Sequence, residues 1–149
     1  MADRHPPQDT FVPHSPSPIT SSAALLGRIL LSAIFLVSGI GKLVDASGTI
    51  GYIASSGLPL PQLAYVAALA VELGGALLLV LGYQTRSVAL LMALFALATA
   101  IGFHANVSDQ NQLFHFLKNL AMAGGLLQVC AFGAGAFSLD VKRNAGAAS

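Results

Sequence analysis

Residues 61–82 read Pro61-Gln-Leu-Ala-Tyr-Val-Ala-Ala-Leu-Ala-Val-Glu72-Leu-Gly-Gly-Ala-Leu-Leu-Leu-Val-Leu-Gly82. A hydrocarbon core about 30 Å thick takes about 20 apolar residues in helical form, each rising about 1.5 Å. This run is long enough to cross a bilayer, and it carries one carboxylate, Glu72, near its middle. Three further stretches have similar length and character: Ala23–Val44 before it, then Ser87–Ala105 and His115–Phe137 after it. The expected fold is therefore all-α, a four-helix transmembrane bundle spanning residues 23–137.

Composition points the same way. Hydrophobic residues make up 55% of the chain and charged residues only 9%, against about 25% charged in an ordinary soluble domain. Too few charges remain to dress a water-facing surface, so lipid is the outer solvent. A net charge of +1 provides no clustered basic footprint, and nucleic acid is not an expected partner. The single cysteine, Cys130, sits inside an apolar run and reads as a small hydrophobe. One thiol cannot form a disulfide within the chain.

Residues 1–22 hold five of the seven prolines, among polar residues, and read as a disordered tail. The first apolar run exceeds the 7–15 residues usual in a signal peptide and is interrupted by Arg28, so a retained span is expected. Ser21 or Ser22 is the expected N-cap of the first helix, with a turn at Asp45-Ala-Ser-Gly48. Residues 48–57 form a mildly apolar stretch suited to the membrane interface, with length for a helical turn or two. Gly82 stops the second helix, and the short link to Arg86 makes helices two and three antiparallel neighbours. Residues 107–112 form a polar loop, and residues 138–149 read as a soluble tail. Basic residues near the helix ends divide as Arg4, Arg28, Arg86, Lys142 and Arg143 against Lys42 and Lys118. That five-to-two excess places both termini in the cytoplasm.

Small residues recur four apart: Ala70 with Gly74, Ala89 with Ala93, Ala96 with Ala100, and Ala121 with Gly125. Such pairs let helix backbones approach closely in lipid. The likeness of 73–80 to 123–129 fits either an internal duplication or convergence on small residues, with convergence the simpler account.

Charges in hydrocarbon are costly and usually face the bundle interior or mark function. Arg28 has two readings. It can snorkel to the headgroups, or it can belong to an inner stripe with Ser32, Phe35, Gly39 and Lys42, which share one helical face. Lys42, Lys118, His104 and His115 all lie near the opposite boundary, each explicable singly as an interface anchor. His104 and His115 are candidate outer-rim ligands, although two histidines flanking a loop are weak grounds for a metal or haem, and no metal site is expected. Glu72 cannot snorkel from mid-span and needs a partner. The expected arrangement is a buried polar network of Arg28, Lys42, Glu72, Lys118 and Asn119, with Ser38 as a further member. Its simplest role is an ion pair that sets helix register. Its functional role would be accepting protons or binding a headgroup inside the bundle.

Several of these residues, taken in order, resemble the DoxX family of small bacterial membrane proteins. They are Gly27-Arg28, Phe35 and Ser38-Gly-Ile-Gly-Lys42-Leu43, then Gly57-Leu-Pro-Leu-Pro61 and Glu72-Leu-Gly-Gly75 through Gly82, with Thr85-Arg86 following. Phe116-Leu-Lys118-Asn119, Gly124-Gly125, Gly135 and Ser138-Leu-Asp140 complete the match over about residues 25–140. The resemblance implies a multi-pass protein of the bacterial inner membrane, with relatives in quinol-oxidase, thiosulfate–quinone and redox-stress systems. The chain itself has no cysteine pair, no dinucleotide-binding glycine motif after a strand, and no convincing haem-ligand pair. Any electrons would travel on a diffusible quinone or a partner subunit. No catalytic residue is assigned. The leading expectation is a redox- or quinone-linked membrane subunit that binds a small hydrophobic molecule, an oxidoreductase subunit or a second copy of itself. The alternatives are a noncatalytic scaffold or assembly factor and, further off, a small proton-coupled transporter.

Overall fold

A computed structural model describes residues 17–147, all of whose regular structure is helical. The helices are α1 (Pro18–Val44), α2 (Ala46–Ser55), α3 (Pro61–Leu81), α4 (Thr85–Phe103), α5 (Gln110–Phe132) and α6 (Leu139–Ala147). Four of them, α1, α3, α4 and α5, are long and apolar enough to cross a membrane. Their outward faces carry leucine, isoleucine, valine and phenylalanine, including Leu30, Val37, Leu63, Leu94 and Phe132.

Helix ends depart from the hydropathy boundaries because caps, not apolar residues, set them. α1 begins at Pro18, with the Ser17 hydroxyl accepting from the Thr20 N–H. Proline suits the first helical position because no intrahelical bond needs its missing N–H. The start expected at Ser21 or Ser22 is therefore too late, and residues 17–22 of the expected tail lie at the cap or in the helix. The remainder of that tail, 1–16, lies outside the described residues. α5 starts five residues before His115, where the Asp109 carboxylate accepts from the Gln112 N–H at 2.9 Å. It stops five residues before Phe137, at Gly133 with φ 84°. α4 runs two residues earlier at each end than Ser87–Ala105. The stretch after Asp45 is a ten-residue helix, capped by Asp45 onto the Gly48 N–H at 2.9 Å. The expected tail after residue 138 contains α6.

The packed interior is made of small side chains. Ala89, Ala93, Ala96 and Ala100 form one buried stripe along α4, and α4 packs against α5 more extensively than any other pair packs. Phe35, Leu79, Met92 and Leu126 fill the remaining volume. Lipid tails are as apolar as leucine, so close backbone approach and dispersion do the work that the hydrophobic effect does in water.

α3 contains a π-helical turn at Ala70–Gly75. Its inward residues Ala68, Glu72 and Ala76 are all buried and fall four apart. A spacing of four drifts around an ordinary 3.6-residue helix, and the wider turn absorbs that drift. Glu72 is thereby held toward α1, where Gly39 receives it. A Cβ at Gly39 would lie 2.6 Å from Leu73 Cδ2 and 3.3 Å from Glu72 Cβ. Gly39→Ala already presses on Leu73 Cγ, 2.8 Å from that Cβ, so the whole leucine side chain has to turn. Gly39→Val adds bulk against the Glu72 stem and is expected to cost about 1–3 kcal/mol, seen as a lower melting temperature in detergent; an unchanged melt would mean the α1–α3 seam yields freely.

Candidate functional site

The single polar network expected from sequence resolves into two clusters at opposite ends of the bundle. In the first, Lys42 Nζ donates to both Glu72 carboxylate oxygens at 2.8 Å and to Ser38 Oγ at 2.8 Å. The Ser38 hydroxyl donates in turn to Glu72 Oε1 at 3.3 Å. Ser38 and Lys42 lie four apart on α1 and so share a face. The carboxylate is the more buried partner, with side-chain exposures of 5% for Glu72 and 24% for Lys42. Tyr65 on α3 donates to the Lys42 carbonyl at 3.2 Å, tying the end of α1 to α3.

Two cavities meet at Lys42. The larger, ≈ 300 Å³, is walled mostly by apolar side chains of α2, α3 and α4, among them Tyr52, Ile53, Ala68, Phe95 and Phe103. The smaller, ≈ 140 Å³, is lined by Ser38, Lys42, Glu72, Lys118, Asn119 and apolar neighbours. Lys42, Phe95, Thr99 and His104 line both. Tyr52 and Leu58, exposed residues of the larger wall, bring that cavity to the protein surface. Tyr52 also stacks on Phe103 at 5.6 Å between ring centres, joining α2 to α4.

Lys118 and Asn119 line the smaller cavity with no hydrogen bond or ion pair to Glu72. The Lys118 ammonium donates to His115 Nδ1 at 3.1 Å, and the Asn119 amide donates to the His115 carbonyl at 3.0 Å. The His104 and His115 rings stack at 4.9 Å with planes 20° apart, and His104 Nδ1 pairs with Gln112 Oε1 at 2.7 Å. Nitrogen lone pairs lie in the ring plane, so nearly parallel stacked rings do not converge on one ion. Among the described residues no three His, Cys, Asp or Glu side chains gather as a metal site.

The second cluster belongs to Arg28. Its side chain is 1% exposed and does not snorkel. Nη1 donates to the Leu79 and Val80 carbonyls at 3.0 Å, and Nη2 donates to the Phe137 carbonyl. Gly82 makes room for it, with φ 68° and a position where a Cβ would lie 2.5 Å from Nη1. Asp140 closes the same end by accepting from the Gln84 and Thr85 N–H groups at 2.7 and 2.8 Å. Partial burial would raise the Asp140 pKa, but hydrogen bonds from Thr85 and Gln84 and the charge of Arg143 hold it below the ordinary carboxylate value. This cap is thus present above the ordinary carboxylate range and is lost as pH falls through the lowered value.

Sequence reasoning did not foresee the acceptors of Arg28, which are backbone carbonyls and leave no residue-type signal. It also did not foresee Phe95 and Thr99 at the junction of the cavities, since an apolar residue in an apolar span carries no mark.

Comparison with known proteins agrees with this architecture. The chain is 39% identical over 116 residues to inner membrane protein YqjF of Escherichia coli (strain K12), covering 78% of this chain and 88% of that one. It is 38% identical over 121 residues to inner membrane protein YphA of the same organism, covering 78% and 86%. It is 42% identical over 77 residues to a Bacillus subtilis (strain 168) protein named "Putative oxidoreductase CatD", covering 52% and 56%. No solved structure matches it. The DoxX family profile matches residues 23–105, which contain α3, the Glu72 turn and the Lys42 partner face, and the chain belongs to the DoxX family.

Proposed function

We propose that this chain is a quinone-binding membrane subunit of a redox system, taking an amphipathic ring between α1, α2, α3 and α4. The observation that carries this reading is the position of Lys42. Its ammonium is anchored on Glu72 and Ser38, and the residue lines both cavities. A cavity of ≈ 300 Å³ is at the lower end of the range for small-molecule sites, sized for a ring rather than a whole lipid. Phe95 and Phe103 supply aromatic walls, while Lys42 and His104 supply polar groups at the end where a ring carbonyl would rest. An isoprenoid tail would leave past Tyr52 and Leu58 toward the lipid. Quinone, when bound, supplies the electron-carrying chemistry. The residues of this chain bind and orient it, and they exclude water from it. The relative named as an oxidoreductase supports the class of system. Both termini are assigned to the cytoplasmic side, which puts this site in the outer half of the membrane.

Glu72→Gln tests the reading. It keeps the shape of the side chain but removes the charge that positions Lys42. The variant is expected to insert and fold normally and to bind a short-chain quinone analogue about tenfold more weakly, the order of one charged hydrogen bond. Binding equal to that of the unmodified protein would leave the pair with a purely structural role, which is the scaffold reading.

A further inference from the structure

The geometry points to a second site at the opposite end of the molecule, for the phosphodiester headgroup of an anionic phospholipid. It lies in a groove of ≈ 850 Å³ between α6, the 133–138 segment and the start of α4. Two guanidinium-bearing residues, Arg86 and Arg143, line it. Neither is in an ion pair, since Lys42–Glu72 is the one such bridge among the described residues. Both are nonetheless located. Arg143 lies over the Tyr83 ring, 5.3 Å from its centre. Arg86 runs along the turn so closely that a Cβ at Gly133 would lie 3.4 Å from its Nε.

The groove has one acidic residue, Asp140, and its two oxygens already accept from Gln84 and Thr85. The helix start is therefore occupied, and the anion would be held by the guanidiniums. Guanidinium forks match phosphate oxygens in pairs.

The surroundings select a lipid over a free ion. α3 ends at Leu81 and α5 ends at Phe132, so the groove sits where two spans leave the hydrocarbon. Phe132 lines it while 80% exposed, and Val141 lines it while 48% exposed. These side chains suit acyl chains and have no use for inorganic phosphate. Two arginines against the one carboxylate of Asp140 leave the groove with a net positive charge, which favours a headgroup with net negative charge over a zwitterionic one.

Native mass spectrometry of the full chain, released from micelles containing equal phosphatidylglycerol and phosphatidylcholine, tests the site. Phosphatidylglycerol is expected to be retained preferentially. Arg86→Gln and Arg143→Gln should each lower that preference about fivefold, and the double substitution should abolish it. Lys142→Gln, a basic neighbour outside the groove lining, should leave it unchanged. Because the groove arginines are exposed, circular dichroism should show unaltered helix content in each variant. Equal retention of the two lipids by the unmodified protein would overturn the proposal without any variant. So would a preference that survives the double substitution, or one that Lys142→Gln lowers as much. Displacement of the lipid by millimolar inorganic phosphate would mark a free-anion site and overturn the assignment to lipid.

Discussion

Lys42→Met is expected to destabilise the bundle by about 3–5 kcal/mol, the usual cost of stranding one member of a buried ion pair. The expectation rests on asymmetry within the pair. Glu72 is almost sealed, at 5% side-chain exposure, whereas Lys42 is 24% exposed. Removing the ammonium leaves a sealed carboxylate with only the Ser38 hydroxyl, at 3.3 Å. Removing the carboxylate charge by Glu72→Gln leaves a cation on a flexible stem at the edge of a span, where it can turn toward the water. Unfolding in detergent, followed by circular dichroism, should therefore rank Lys42→Met well below Glu72→Gln. The double variant Lys42→Met/Glu72→Leu should recover most of the loss, because replacing both partners by apolar groups is often neutral or better. Equal losses from the two single substitutions would show that water reaches Glu72 as readily as Lys42. The same series bears on binding, since the double variant keeps the bundle while removing the ammonium that both cavities share. A recovered melt with lost affinity for the quinone analogue separates the two roles of the pair.

The bundle was legible because a span must satisfy a length and a solvent, and both are written in composition. Helix ends were less so. Hydropathy marks where hydrocarbon stops, but α5 continues through Gln110 to Phe114 because Asp109 caps it and glutamines are good helix formers in water. The π-helical turn had a faint signature in Ala68, Glu72 and Ala76, inward residues four apart, which only burial turns into a finding. Glu72 and Lys42 stood out because charge in hydrocarbon has to be explained. That Arg28 and Lys42 could not share Glu72 followed from the helical rise, since fourteen residues separate them, about 21 Å along α1. One carboxylate cannot serve both, but the choice of Lys42 over Arg28 and Lys118 came only from the structure. Arg28 had to find other acceptors, and those acceptors are carbonyls that no pattern of residue types reveals.

Arg28→Lys is expected to be nearly as harmful as Arg28→Met, which sets this residue apart from an interface anchor. An anchor needs a positive charge and a long stem, and lysine has both. Arg28 instead joins three segments through one planar fork: α1 carries it, the carbonyls of Leu79 and Val80 at the end of α3 accept from one nitrogen, and Phe137 accepts from another. A lysine ammonium is a compact point donor and cannot span both sets of acceptors from one position. Charged hydrogen bonds contribute about 1.5–3 kcal/mol each, and losing the group should cost about 3–5 kcal/mol, with carbonyls left buried. The loss should be local first. The 133–138 segment is pinned at Phe137 by Arg28 and at Asp140 by the start of α4, so freeing the first point loosens everything from Gly133 to α6. Limited proteolysis in detergent should cut the Arg28→Lys variant within 133–147 well before the unmodified protein, while the four spans stay protected. If Arg28→Lys resists cleavage and melts normally, the fork geometry is dispensable and a charge at this depth suffices.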